Sequence, residues 1–488
     1  MKQILSIDIG TSNVRAILIN EKGKLTGIEK MSLSPIYPYH GQIEMDPEEI
    51  FQNVLKVIEK VILSTDTSKE QILCMGISNS LDTTIVWDKI TRKPVWNAII
   101  CGDRRNQKFC EDNKEKSEFI KEKTALPLSC YGSATKIRWI LKNAKIENKD
   151  NCLFGTLNTW ILWRLTNAEE FVTDICNASR TMLFNIHENK WDNDLLKFFN
   201  IKKQMLPAVK SCSEVYGYTH PSILGAKIPI SSMIGDSQSA LFASGCHSEG
   251  MANLNAGAGA FLIMNTGEIR VNESKDLISS IAYQRKGFAI KYSLESALYS
   301  FGSVVEWLKS YTGIIYSAKE IEGLAYSVPD SMGVYFVPAL NGLFFPFQNQ
   351  KVTGAIFGIT PSTNIGHICR ALMEGVSFML SDAQVQMEKV YKNPKNKLKC
   401  SGGVAENNFL MQMSADLMES HLVRSKELEL SAFGAAYLSA LAINVWKNEK
   451  EIESLFEAER KFSPKLDKKN IDKMRKNWEK GLNLCISF

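Results

Sequence analysis

The hydrophobic pattern is strongest at the start of the chain, where Leu5 to Ile19 reads LSIDIGTSNVRAILI. Apolar, β-branched residues run to Ile9, give way to Gly-Thr-Ser-Asn and resume at Val14. Two such runs around a turn of about four residues predict a β-hairpin. GKLTGIEKMSLS adds a third strand, MDPEEIFQNVLKVIEKVIL an amphipathic helix with an acidic first turn that suits its dipole, and QILCMGISNS a buried parallel strand. Strands and helices keep alternating, which predicts an α/β protein. IPISSMIG reads as a strand that passes at once into a helix of small residues ending near Gly245. LKCSGG is a short strand with a Gly-Gly turn, followed by a helix in which Phe409, Met413 and Leu417 recur at helical spacing. SAFGAAYLSALAINVW carries Ala432, Gly434, Ala435 and Ala436, a pattern of close helix packing rather than of chemistry.

The opening pattern returns roughly 245 residues later in MANLNAGAGAFLIMNTG, where Gly257-Ala258-Gly259 separates an apolar start from the strand Phe261 to Met264. The repeat predicts duplicated domains, each offering a hairpin to a nucleotide in a shared cleft; two glycine hairpins arising by chance is the competing reading. The 488 residues exceed one ordinary core, and 44% hydrophobic with 23% charged residues is ordinary for a globular protein of two domains. A net charge of +5 without a basic, aromatic-interleaved stripe argues against nucleic acid as a partner. The 11 cysteines stand singly, without C-x-x-C or a cysteine-histidine cluster, and read as small buried hydrophobes of a reducing compartment. No signal-like start and no run of about 18 apolar residues are seen, so the expectation is a cytoplasmic protein without a membrane partner.

Three places carry candidate chemistry. Asp8 lies inside an apolar strand beside a turn whose N–H groups and hydroxyls can wrap a phosphate, while the carboxylate can hold hydrated Mg²⁺. An ordinary tight turn with a solvated acid fits the same residues. Asp236 follows a strand and opens a helix, the position at which α/β folds place active sites, and it can take the proton of an attacking hydroxyl. A helix N-cap is the alternative role. After Gly402-Gly403, a helix N-terminus offers free N–H groups to a phosphate or ribose oxygen, and Asn407 an amide contact.

Taken with YGSATKIRWIL, FGTLNTWILWRLTN, VTDICNASRTMLFNIH, GDSQSALFASG, GVYFVPALNGL, GAIFGITPS, SGGVAENNFLMQ and FGAAYLSALA, these segments resemble the FGGY carbohydrate kinases over nearly the whole chain. NASRTMLFNIHENKWDNDLL is the run most specific to the glycerol kinase branch. The resemblance implies an α/β fold of two actin-like ATPase (ribonuclease H-like) domains with an interdomain cleft, residues 1–244 carrying the acceptor site and phosphate hairpin and 245–488 the nucleotide site. It implies ATP-dependent phosphorylation of a primary hydroxyl of a small polyol or sugar, glycerol first, with Mg²⁺ at Asp8 and Asp236 as general base. Thr11, Ser12, Asn13 and Arg15 would meet the phosphates, and Gly257, Gly302, Gly403 and Asn407 the nucleotide. Asp82, Tyr131, Ser237 and Phe261 would line the acceptor pocket. The family often forms homo-oligomers.

The departures gather at the acceptor. The family's Asn-Gln-Arg-Glu is Asn79-Ser80-Leu81-Asp82 here, so the arginine and glutamate that bind glycerol hydroxyls are Leu81 and Asp82. An unpaired buried hydroxyl costs about 1 to 3 kcal/mol, a loss of roughly tenfold to a hundredfold in affinity for glycerol in the family's pose. The pocket tryptophan is Cys101, the glutamine after the base is Ser237, and Phe344 and Phe345 of GLFFPFQN are candidates to refill the volume lost at Cys101. On the nucleotide side a hairpin threonine is Ala258 and a glutamine is Glu306. These changes leave two further readings open, a kinase for another polyol or sugar and a weakened nucleotide-binding homologue.

Overall fold

The computed structural model describes all residues except 272–276, 299, 341, 344–346, 348, 350, 393, 396 and 488. The chain forms two compact units. The first comprises Met1–Gly245 and takes in two later segments, Ser280–Tyr292 and Ser431–Leu455; the second comprises Cys246–Ser279, Ser293–Leu430 and Phe456–Phe488.

In the first unit, β1 (Gln3–Ile9), β2 (Asn13–Asn20), β3 (Leu25–Ser32), β4 (Ile72–Asn79), β5 (Ser213–Tyr218) and β6 (Pro229–Gly235) form one sheet in the order β5-β6-β4-β1-β2-β3. β1 is buried at every position, which is why its apolar run is nearly continuous, whereas β3 alternates between half-buried and exposed residues as an edge strand does. The helix Pro47–Ser64 begins where Asp46 accepts a hydrogen bond from the Glu48 N–H, with proline in its first turn and Glu48 and Glu49 facing the dipole. Its Phe51, Val54, Val57, Ile58 and Val61 join Leu5, Ile7, Val14 and Leu18 in one core.

The small-residue segment near the end is the helix Leu430–Ala442, and its composition is explained by contact with backbone. A Cβ on Gly434 would lie 2.0 Å from the Ser239 carbonyl oxygen. Hydroxyls of Ser213, Ser231 and Ser232 donate to the carbonyls of Leu438, Ser439 and Ala435 at 2.7 to 3.0 Å, so strands of the sheet hydrogen-bond to a helix that is distant in sequence.

The second unit repeats this topology. Its sheet has seven strands, of which β7 (Ala252–Ala256), β8 (Ala260–Gly267), β9 (Lys291–Leu298), β10 (Lys397–Ser401), β11 (His421–Ser425) and β12 (Ala458–Phe462) run β12-β11-β10-β7-β8-β9 and match the first sheet position for position, while Ile278–Tyr283 adds an edge strand beyond β9. In both, an antiparallel hairpin (β1-β2, β7-β8) is followed by a strand parallel to its first arm (β4, β10), then by a second parallel strand and an antiparallel edge. The duplication inferred from two glycine turns therefore extends through six strands of each sheet.

Candidate active site

β1, β4 and β6 are parallel and end in register, Ile9 beside Asn79 and Asn79 beside Gly235. The chain leaves all three at the same edge, so Asp8, the loop after Asn79 and Asp236 are brought together at the carboxyl ends of adjacent strands. Gly235 holds the cap position and Asp236 is the first residue of the helix Asp236–Ala243, which removes the N-cap reading of this aspartate. The backbone N–H and hydroxyl of Ser237 donate to its Oδ1 at 2.7 and 3.2 Å. Burial, reinforced by the negative charge of Asp8, pushes the Asp236 carboxyl up to about 7 against the pull of the Ser237 bonds. A partly open carboxylate titrating there suits a base that takes a proton from an alcohol.

Across the hairpin, Asp8 faces Arg15, whose Nη1 lies 2.9 Å from Asp8 Oδ2, while Arg15 Nη2 donates to Asn13 Oδ1 at 3.1 Å. The expected phosphate ligand Arg15 thus also steadies the expected metal ligand. Asp8 is 5% exposed, and its Oδ1 has no hydrogen-bond partner among the described residues. An orphaned buried carboxylate oxygen fits a cation. Thr11 and Asn13 are half-buried and Ser12 is exposed at the hairpin tip, with the Gly10 N–H donating to the Asn13 carbonyl at 2.9 Å.

The residues expected at the acceptor are built around the turn after β4. Asp82 has φ of 66°, left-handed for a residue with a Cβ. The ammonium of Lys136 donates to the Asp82 carbonyl oxygen at 2.8 Å, and Arg180 Nη2 stands 3.6 Å from Asp82 Oδ2. The turn is tied down by Asn79, whose amide exchanges hydrogen bonds of 2.9 and 3.1 Å with Asn177. Leu81 packs against the end of β6, where a Cβ on Gly235 would be 2.6 Å from its Cδ2. Burial raises the Cys101 thiol to about 11; Lys136 opposes this, and the charges of Asp82 and Asp236 add to it. Tyr131, its phenol pushed up chiefly by burial, has Arg104 as a hydrogen-bond partner. Asp82, Tyr131, Cys101, Ser237 and Asp236 therefore belong to one neighbourhood of the first unit.

In the second unit the Gly257 N–H donates to Gly259 at 2.8 Å and closes the β7-β8 hairpin. Gly302 opens the helix Gly302–Ser310 against that turn: a Cβ there would sit 2.5 Å from the Gly257 carbonyl oxygen and 2.6 Å from Val404 Cγ2. Gly403 borders open space, as a residue over which a ligand can pass must. Asn407 caps the helix Asn408–Leu417 through a 2.9 Å bond from the Leu410 N–H to its Oδ1, so the oxygen of the expected amide contact is already used. Ala258 is exposed at the hairpin tip, Glu306 is exposed and bonded to Lys309 and Ser310, and Phe261 is half-buried near the start of β8. Phe344 and Phe345 lie outside the described residues.

Lys136, Arg104 and Arg180 stand beside the expected acceptor residues, and the sequence alone assigned them no role. Two of them stood in quoted motifs, SATKIRW and NASRTML, but nothing in the spacing said that their cations turn toward Asp82. All 11 cysteines are free thiols, nine of them buried. The close trio Asp174, Cys176 and Cys212 includes a carboxylate whose oxygens already accept from the Cys176 and Asn177 N–H groups and the Asn158 and Asn177 amides, which marks it as packed interior.

A duplicated hairpin sheet, with a carboxyl raised by burial beside a second buried carboxylate at the strand ends, is the actin-like ATPase architecture of a phosphotransferase. Comparison with known proteins makes this specific. Residues 3–243 match the N-terminal domain and residues 252–443 the C-terminal domain of the FGGY family of carbohydrate kinases, and the chain belongs to that family. It is 42% identical to glycerol kinase 2 of Thermotoga maritima over 100% of this chain and 99% of that protein. It is 40% identical to the glycerol kinase of Burkholderia multivorans over 99% and 98%. Among solved structures, Plasmodium falciparum glycerol kinase with ADP superposes with a TM-score of 0.91 at 31% identity, covering 99% of this chain and 98% of that one. The protein is a kinase with an alcohol acceptor. Among the described residues no helix is long and apolar enough to cross a membrane.

Proposed function

We propose that the protein transfers the γ-phosphoryl group of ATP to a primary hydroxyl of a small polyol, with glycerol, giving glycerol 3-phosphate, as first acceptor. One observation carries the reading: Asp236, raised to about 7, stands at the end of β6 with Asp8 and the Asp82 turn at the ends of the neighbouring strands. In this scheme Asp82, Tyr131 and Ser237 hold the acceptor, and Phe261 adds an apolar wall. Asp236 takes the hydroxyl proton as the oxygen moves onto phosphorus. Thr11, Ser12, Asn13 and Arg15 bind phosphates, and Gly257, Gly302, Gly403 and Asn407 surround the nucleotide. Asp8 would hold Mg²⁺, which screens phosphate charge when bound. The division of labour is 1–244 for acceptor and phosphates and 245–488 for the nucleotide. The free cysteines suit a reducing compartment, the cytoplasm. The reading needs neither nucleic acid nor a membrane, and it is compatible with a homo-oligomer.

A second acceptor class is favoured by Leu81, which fills the space at Gly235 with a side chain that makes no hydrogen bond. An ADP-release assay over polyols and sugars decides between the readings. Saturable turnover with glycerol supports the first, and turnover only with another acceptor replaces glycerol by that compound. Tight ATP binding without turnover on any acceptor overturns the kinase reading.

A further inference from the structure

Lys136 is completely buried in the first turns of the helix Ser133–Asn143. An ammonium taken out of water is costly to the fold unless it is paired and hydrogen-bonded. Yet its one hydrogen bond among the described residues goes to a main-chain oxygen, that of Asp82 at 2.8 Å. The ionisable groups around it are Asp82, Asp103 and the thiols of Cys101 and Cys130; burial keeps the thiols neutral, so the negative charge it meets is that of the two aspartates. Desolvation lowers its pKa, and these neighbours resist that. The oxygen it grips belongs to a residue in the left-handed region, φ 66°, where a Cβ makes the main chain strained. Thr84 Oγ1 donates to the same oxygen at 3.2 Å, a longer and neutral bond. A charged donor makes the stronger hydrogen bond, and here it is spent on a strained peptide next to the reacting centre.

We propose that Lys136 is a positioning residue of the kinase: by anchoring the Asp82 carbonyl it holds the Asp82 main chain in its left-handed conformation and so sets where the Asp82 carboxylate meets the acceptor. Thr84 is the auxiliary anchor of the same oxygen. Arg180, 3.6 Å from Asp82 Oδ2, steadies the other end of the residue. The proposal rests on the acceptor role of Asp82 given above, and it assigns Lys136 no contact with the reacting atoms.

The test is steady-state kinetics on the best acceptor, with ADP affinity measured separately by calorimetry. Lys136→Met keeps length and burial but removes the donor, and it should raise the acceptor KM by about tenfold or more while ADP affinity stays within about twofold. In an Asp82→Gly background glycine takes positive φ without strain and carries no carboxylate to aim, so Lys136→Met should then change the acceptor KM by less than about twofold. A purely structural lysine would act equally in both backgrounds, and that result overturns the proposal. So does an unchanged acceptor KM in the single variant, or loss of ADP affinity in parallel. Should Lys136→Met fail to fold, Thr84→Val gives an independent reading: loss of the auxiliary anchor should raise the acceptor KM by about threefold, and a folded variant with unaltered KM also overturns the proposal. A wild-type protein inactive on every acceptor counts against the function itself, whereas an active wild type with insensitive variants counts only against the role of Lys136.

Discussion

Replacing Asp236 by asparagine separates the charge of the proposed base from its place in the fold. Asparagine has the same shape, and its Oδ1 can still accept the two bonds from Ser237. What disappears is a negative charge that burial and Asp8 oppose. The carboxyl moves from 3.8 to about 7, close to three pH units, and at ~1.4 kcal/mol per unit the ionised form costs the folded state up to ~4 kcal/mol. Partial access of water lowers the measurable share to about 2–3 kcal/mol. Because the folded pKa is the higher one, wild-type stability is undiminished below pH 4 and is lost as the pH rises toward 7. Asp236→Asn escapes that loss, so its stability advantage should already be about 1 kcal/mol at pH 5 and grow by roughly 1.5 kcal/mol by pH 8. Urea unfolding followed by tryptophan fluorescence at both pH values measures the difference, and ADP release measures turnover. The variant should lose about two to four orders of magnitude in kcat while ADP affinity is retained. An advantage that is equal at both pH values, or that shrinks as the pH rises, refutes the desolvated-carboxylate account. A variant that turns over at the wild-type rate refutes the base.

For the wild type, kcat/KM for the acceptor should fall about tenfold per unit of pH below about 7, as the base takes up a proton; a profile flat to pH 5.5 contradicts this. Leu81→Arg, which restores a hydrogen-bond donor, should lower the glycerol KM by roughly tenfold in steady-state assays, whereas a rise would mean that the leucine serves a different acceptor. Asp8→Asn should increase the Mg²⁺ concentration needed for half-maximal activity by about tenfold or more, and an unchanged Mg²⁺ titration would move the metal elsewhere. Gly302→Ala must displace either the Gly257 turn or Val404; calorimetry should show ADP binding weakened about tenfold, with no comparable change for the acceptor.

The elements nearest the site were the most legible in the chain. The hairpin at Asp8, the strand ending at Gly235 and the strand before Gly402 each combine apolar runs with a small-residue turn, and local rules suffice for such patterns. Residue types alone also pointed to Asp8 and Asp236, because a charge at the end of a buried strand needs an explanation. The return of Ser280–Tyr292 and Ser431–Leu455 to the first unit left no such trace, since the partners far away in sequence are, for the first segment, the Cys212 N–H and the Cys176 thiol and, for the second, serine hydroxyls and Gly76. Lys136 was hidden for a similar reason: only the fold reveals that a lysine on the buried side of its helix ends on a carbonyl of another segment. Asn407 shows the reverse, an amide whose residue type suggests a ligand contact while its oxygen completes a helix cap.

The helix Leu430–Ala442 also has a consequence for how the protein is made. Its glycine and alanine face lies directly on the sheet of the first unit, yet it emerges from the ribosome only after most of the second unit has been synthesised. A nascent chain stalled before residue 431 would leave Ser213, Ser231 and Ser232 without their carbonyl acceptors and the backbone at Ser239 uncovered. The half that begins synthesis first is therefore completed late, and C-terminal truncation should harm the first unit, which carries the proposed acceptor residues Asp82, Tyr131 and Ser237.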